Sequence, residues 1–179
     1  MIVRFSAAST ALAAVLLLFA PSARAAEHMT LASTDFAANA SMPQRLAYKD
    51  DNCGGENATP SLAWRNAPKG VKSFALVMHD PDAPIAGGWY HWVVYDITPT
   101  SQALSPTGGF VTGRNSWGKS AYGGPCPPPG PAHHYVFTLY ALDLPIGSTT
   151  GAVMTGPQVE ASVRGHVLAK ATLTGLYKR

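Results

Sequence analysis

The residue types able to do chemistry gather at four places in this chain. His79-Asp80-Pro81-Asp82-Ala83-Pro84 closes an apolar run, and His91 lies inside an aromatic one. Cys126, His133, His134 and Tyr135 follow a stretch of glycine and proline, and Cys53 sits in the loop Asp51–Gly55. Imidazoles beside a carboxylate can move protons to and from water, which is hydrolytic chemistry through Asp80, His91 and His133. The same imidazoles, with a phenol and glycine N–H groups, can instead donate hydrogen bonds to an anion. No serine stands in a nucleophile elbow, so covalent catalysis has little support.

The run Tyr122-Gly123-Gly124-Pro125-Cys126 through Tyr135 must hold one shape to present its side chains, because glycine and proline dictate its backbone. Asp80 and Asp82 stand two apart in a proline-stiffened turn, where such carboxylates usually cap backbone N–H groups. Strand alternation places His91 on the face opposite Tyr90 and Trp92. The two cysteines read first as a disulfide; the alternative is a metal site in which both thiols join His133 or His134, although their spacing matches no recognised zinc pattern.

Positioning these groups falls to strands. Phe74–Met78 reads as buried strand, Trp89–Ile97 and Tyr135–Leu142 as two more, and Met42–Tyr48 and Ser61–Trp64 as weaker candidates. Thr98–Lys119 is turn-rich. Val159, Val163, Val167 and Leu168, opening at Gly156-Pro157, have helical spacing that continues through Ala171 toward Gly175. The expected fold is mainly β, an antiparallel sandwich with a C-terminal helix.

Residues 1–25 read as a secretory signal peptide: Arg4, the apolar stretch Ala11–Ala20, and Ala23-Arg24-Ala25 as cleavage signal. The apolar stretch is well short of the ~20 residues of a spanning helix, so no stable membrane insertion is expected. Cleavage near Ala25 leaves residues 26–179 as a single domain, periplasmic or secreted. It also removes Arg4 and Arg24, leaving 11 basic against 10 acidic residues, a net charge of +1. No basic stripe remains, which argues against a nucleic-acid partner.

At the level of motifs the chain resembles the phosphatidylethanolamine-binding protein family, in its bacterial Raf kinase inhibitor-like branch. The resemblance rests on Asn57, Pro60, Leu62 and Trp64; Asp80-Pro81-Asp82-Ala83-Pro84; Gly88-Trp89 with His91-Trp92-Val93-Val94; Gly123 through Pro128 with His133 and Tyr135; and Gly165–Ala171. It implies a two-sheet sandwich with a small anion pocket lined by Asp80, Pro84, His91, Gly124, Pro125, His133 and Tyr135. The implied protein is a non-catalytic binder of phosphate, phospholipid head groups or other small anions, possessing no cofactor and open to a regulatory role toward another protein. Protonation of His91 or His133 near pH 6.5 is expected to strengthen anion binding. Two departures stand out: His134 replaces the arginine usual in relatives, weakening any ion pair there at neutral pH, and Asn115-Ser116-Trp117-Gly118 replaces Asn-Asp-Phe-Gly.

Overall fold

The computed structural model describes residues 28–104, 108–147 and 151–179, so the expected signal peptide lies outside the described residues. Two antiparallel sheets form the sandwich. Strands β1 (Thr30–Ser33) and β2 (Leu62–Arg65) make the smaller. The larger runs in the order β5 (Val111–Thr112), β4 (Trp89–Ile97), β3 (Ser73–Asp80), β6 (His133–Leu142), β7 (Val167–Tyr177).

Alternation decides which core each residue enters. Leu31, Leu62 and Trp64 of the small sheet meet Phe74, Leu76 and Phe137 of the large one, with Trp64 and Phe74 ring centres 5.2 Å apart. The other face of the large sheet buries Ala75, Val77, Val93 and Tyr95 against Val159 of helix α1 (Gly156–Ser162) and its C-cap Val163. Strand β3 is therefore covered on both sides, which is why Phe74–Met78 is an uninterrupted apolar run. Each buried Phe, Leu, Val or Met of that run contributes about 1.5–3 kcal/mol.

The mainly-β sandwich with a helix near the C-terminus is as expected, but the helix is shorter. Thr155 N–H donates to the Gln158 side chain at 2.9 Å and caps its start. Gly165, with φ +82°, follows its end. Val167 and Leu168, which helical spacing assigned to an apolar face, are exposed, while Ala171 and Leu173 are buried at strand spacing opposite β6. The valines satisfied both periods, and full-length pairing with β6 decided between them. Met42–Tyr48 is likewise no strand: it contains a 3-10 turn, Gln44–Leu46, that buries Leu46.

One irregularity bears on everything that follows. Met78 pairs with Trp92 but His79 pairs with Tyr90, so His91 is an extra residue on β4, a β-bulge.

Candidate functional site

The bulge breaks the expected alternation on one side of His91 only: it lies opposite Tyr90 as expected, but on the same face as Trp92. Regular alternation would set His91 against Trp92 across the strand. Instead Trp92 enters the inter-sheet core and the His91 ring lies edge-on to Tyr135 of that same core, 5.0 Å between centres, while Tyr90 packs on the helix side. His91 joins Asp80, His133 and Tyr135 on one face because the strand miscounts by one.

Three loops then fix these groups. Asp80 ends β3; its Oδ1 accepts the Asp82 N–H at 2.9 Å and its Oδ2 accepts His133 Nδ1–H at 2.8 Å. His91 Nδ1–H donates to the carbonyls of Gly123 (2.8 Å) and Gly124 (3.1 Å), leaving Nε2 as an acceptor while the ring is neutral. Burial holds it neutral: desolvation pulls its pKa down to about 4, against weaker upward pulls from the Gly123 carbonyl and Asp80. The expectation that His91 protonates near pH 6.5 is therefore corrected.

The glycine-proline run is a wall. Asn57 accepts Gly124 N–H at 2.7 Å and donates to the Tyr122 carbonyl at 3.0 Å, while Tyr48 N–H donates to the Pro125 carbonyl at 3.0 Å. A side chain on Gly124 would meet the Leu46 carbonyl oxygen at 2.1 Å, so only glycine fits. Cys53 and Cys126 are joined as a disulfide, Cα atoms 5.5 Å apart across 73 residues, a closure that contributes about 4 kcal/mol in the chain-entropy model. With both sulfurs bonded to each other, the alternative of a thiolate metal site is overturned.

These elements surround a cavity of about 310 Å³. Asp80, Pro84, His91 and His133 line it as expected. Gly124, Pro125 and Tyr135 do not. The Gly124 N–H is spent on Asn57, and the Gly124 and Pro125 carbonyls accept from His91 and from Tyr48, so this backbone braces the site from behind. Tyr135 is fully buried beneath it. Its hydroxyl has the Asp80 carboxylate and the Cys126 N–H for neighbours, makes no hydrogen bond of good geometry, and is pushed well above the usual phenol range mainly by desolvation.

Sequence reasoning missed Ile85, Trp89, Trp117, Cys126, Pro127, Pro128, Asp51 and Arg179 as lining residues. The departure at Asn115–Gly118 held a signal for one of them. Buried Asn115 accepts the N–H groups of Trp117 and Lys119, each at 3.0 Å, and so shapes the turn. Trp117 then stacks on Tyr48 at 4.8 Å and meets Trp89 and His91 edge-on at 5.2 and 5.1 Å. Gly123 leaves room for its ring.

Outside the cavity, Asp82 Oδ2 accepts both the backbone N–H and Nδ1–H of His134 at 2.7 Å. The His134 backbone bond, first, and its side chain, second, hold the Asp82 carboxyl below the usual range. Asp82 thus braces the turn to β6, and His134 keeps a polar contact there. A larger hollow of about 680 Å³ lies against β1, β2, Ala103, Leu104 and Phe110; it is lined mostly by small, hydroxyl and apolar side chains such as Ala32 and Thr59, with no imidazole or carboxylate among the described residues.

A family model described as phosphatidylethanolamine-binding protein matches residues 32–178. The Escherichia coli protein YbhB is 36% identical over 160 residues, spanning 83% of this chain and 99% of YbhB. A protein of Aquifex aeolicus is 42% identical over 136 residues, 71% of this chain and 78% of its own length. The crystal structure of Escherichia coli YbcL, described as a new member of the mammalian PEBP family, superposes with a TM-score of 0.79 at 32% identity, covering 86% of this chain and 99% of that one.

Proposed function

The chain belongs to the phosphatidylethanolamine-binding protein family, and on that premise we propose that it is an exported, non-catalytic binding protein whose cavity holds a small oxyanion, either phosphate or the phosphorylated head group of a lipid. The observation that carries this reading is the cavity of about 310 Å³ with His91, His133 and Asp80 fixed at its wall by partners of their own. Preformed polar groups in a concave apolar frame suit capture. Neutral His91 offers an acceptor, so the favoured ligand carries a proton of its own, as hydrogen phosphate or a protonated monoester does. Asp80, engaged by His133 and the Asp82 N–H, orients His133 and takes no direct part in holding a dianion.

Hydrolysis through Asp80, His91 and His133 is the weaker reading. A base whose pKa lies near 4 is poorly matched to neutral pH, and the cavity's one sulfur is bonded to Cys53. Export is supported by the signal pattern of residues 1–25 and by the disulfide, which persists in oxidising compartments. N-terminal sequencing of exported protein should begin near Ala26; retention of Met1 overturns cleavage.

Calorimetry with inorganic phosphate and with glycerophosphoethanolamine tests the ligand class and separates free phosphate from head group. Heat of binding that disappears in His133→Ala is expected. Absence of binding by either compound at millimolar concentration rejects the proposal, as does phosphoester turnover that His91→Ala abolishes.

A further inference from the structure

The cavity contains a charge imbalance that the residues discussed so far leave open. Asp51 and Asp80 both line it, His91 is neutral, and His133 is engaged with Asp80. An oxyanion entering this space beside two carboxylates is favoured by a permanent positive charge. Among the described lining residues only Arg179 carries one.

Arg179 does not hang loosely over the opening. Its Nε–H donates to the Pro127 carbonyl at 2.7 Å and its Nη1–H to the Asn52 carbonyl at 3.2 Å. Those carbonyls belong to the neighbours of Cys126 and Cys53, so the guanidinium spans the two loops that the disulfide joins. A guanidinium has five N–H donors in one plane. Two bonds to backbone carbonyls set that plane and leave three of the five donors, both of those on Nη2 among them, for a carboxylate or phosphate.

We propose that Arg179, held rigid by the two disulfide-linked loops, is the anion clamp and specificity-determining residue of this cavity; the inference rests on the oxyanion reading above. The role is that of a fixed charge, independent of pH across the range in which imidazoles titrate.

Titration of inorganic phosphate into the full chain, its Arg179→Lys variant and its Arg179→Gln variant tests this, with thermal melts alongside. The expected result is affinity lower by about tenfold or more in Arg179→Gln and lowered by a smaller factor in Arg179→Lys, which keeps the charge but loses the fork and its two backbone bonds. The salt dependence of binding should also flatten in Arg179→Gln. Wild-type affinity in a folded Arg179→Gln overturns the clamp while leaving oxyanion binding standing. Failure of the wild type to bind phosphate overturns the oxyanion reading and the clamp with it. Should Arg179→Gln fail to fold, phosphate should slow phenylglyoxal modification of Arg179 in the wild type, read by peptide mass; an unchanged rate overturns the clamp.

Discussion

His133 and His134 are neighbours in sequence, and each gives its Nδ1–H to an aspartate at the end of β3 or in the turn after it, at 2.8 and 2.7 Å. There the likeness ends. Strand alternation sends the first toward the inter-sheet core, where the His133 and Asp80 side chains are 12% and 4% exposed; the second faces water, with His134 and Asp82 at 55% and 41%. A charge interaction worth about 1 kcal/mol in bulk water is worth about four times that near a protein surface of lower dielectric. The buried rung therefore orders the cavity, while the exposed rung fastens a turn. Residue type names the contact, and burial decides its consequence.

The largest effect expected from breaking the buried rung is His133→Ala, which strips Asp80 of its side-chain partner inside the protein. The stability loss in urea unfolding should be about 3 kcal/mol or more. A loss no larger than that of Asp82→Asn would erase the distinction between the rungs.

Acid sharpens the comparison at the next level. His91 takes up its proton at a pKa near 4 when folded and near 6.5 when unfolded. Between those values the unfolded chain binds more protons, so stability is full above pH 6.5 and declines as pH falls toward 4, by on the order of 3 kcal/mol at the acid end. Imidazole NMR titration should find His91 neutral at pH 5.5; a midpoint near 6.5 in the folded protein would contradict its burial.

The smallest effect belongs to the exposed rung. Asp82→Asn should cost less than about 1 kcal/mol at neutral pH. Because the folded carboxyl lies below its ordinary value of 3.8, that advantage exists above this value and vanishes as pH falls through the folded one. Urea midpoints of variant and wild type should converge there.

How much of this was legible in sequence follows from what each feature depends on. Strands β3, β4 and β6 stood out because apolar and β-branched runs bounded by turns are local signals. Asp80, Pro84, His91 and His133 were identified as lining residues through motif resemblance, which already contains their convergence. Trp89, Trp117 and Arg179 were not, because their meeting depends on loops far apart in the chain. Gly124, Pro125 and Tyr135 stand behind the lining rather than in it for a related reason. Sequence shows which N–H, carbonyl and hydroxyl groups exist, and the fold had already committed or buried theirs. The face of His91 was unreadable because alternation counts by twos and a bulge breaks the count.

That bulge has a consequence for what β4 needs. Met78 opposite Trp92 and His79 opposite Tyr90 are both proper pairs, and the side chains on either side of His91 already point to alternate faces. A chain with His91 simply deleted would pair Asp80 through Leu76 with β4 without a break, the second register shift between Phe74 and Leu76 remaining, and Tyr90 and Trp92 would stay on the faces they occupy now. The sheet has no architectural use for the residue. His91 is surplus to the β3 pairing at that point, and its ring and carbonyl are spent instead on holding the Gly123–Gly124 loop against the strand.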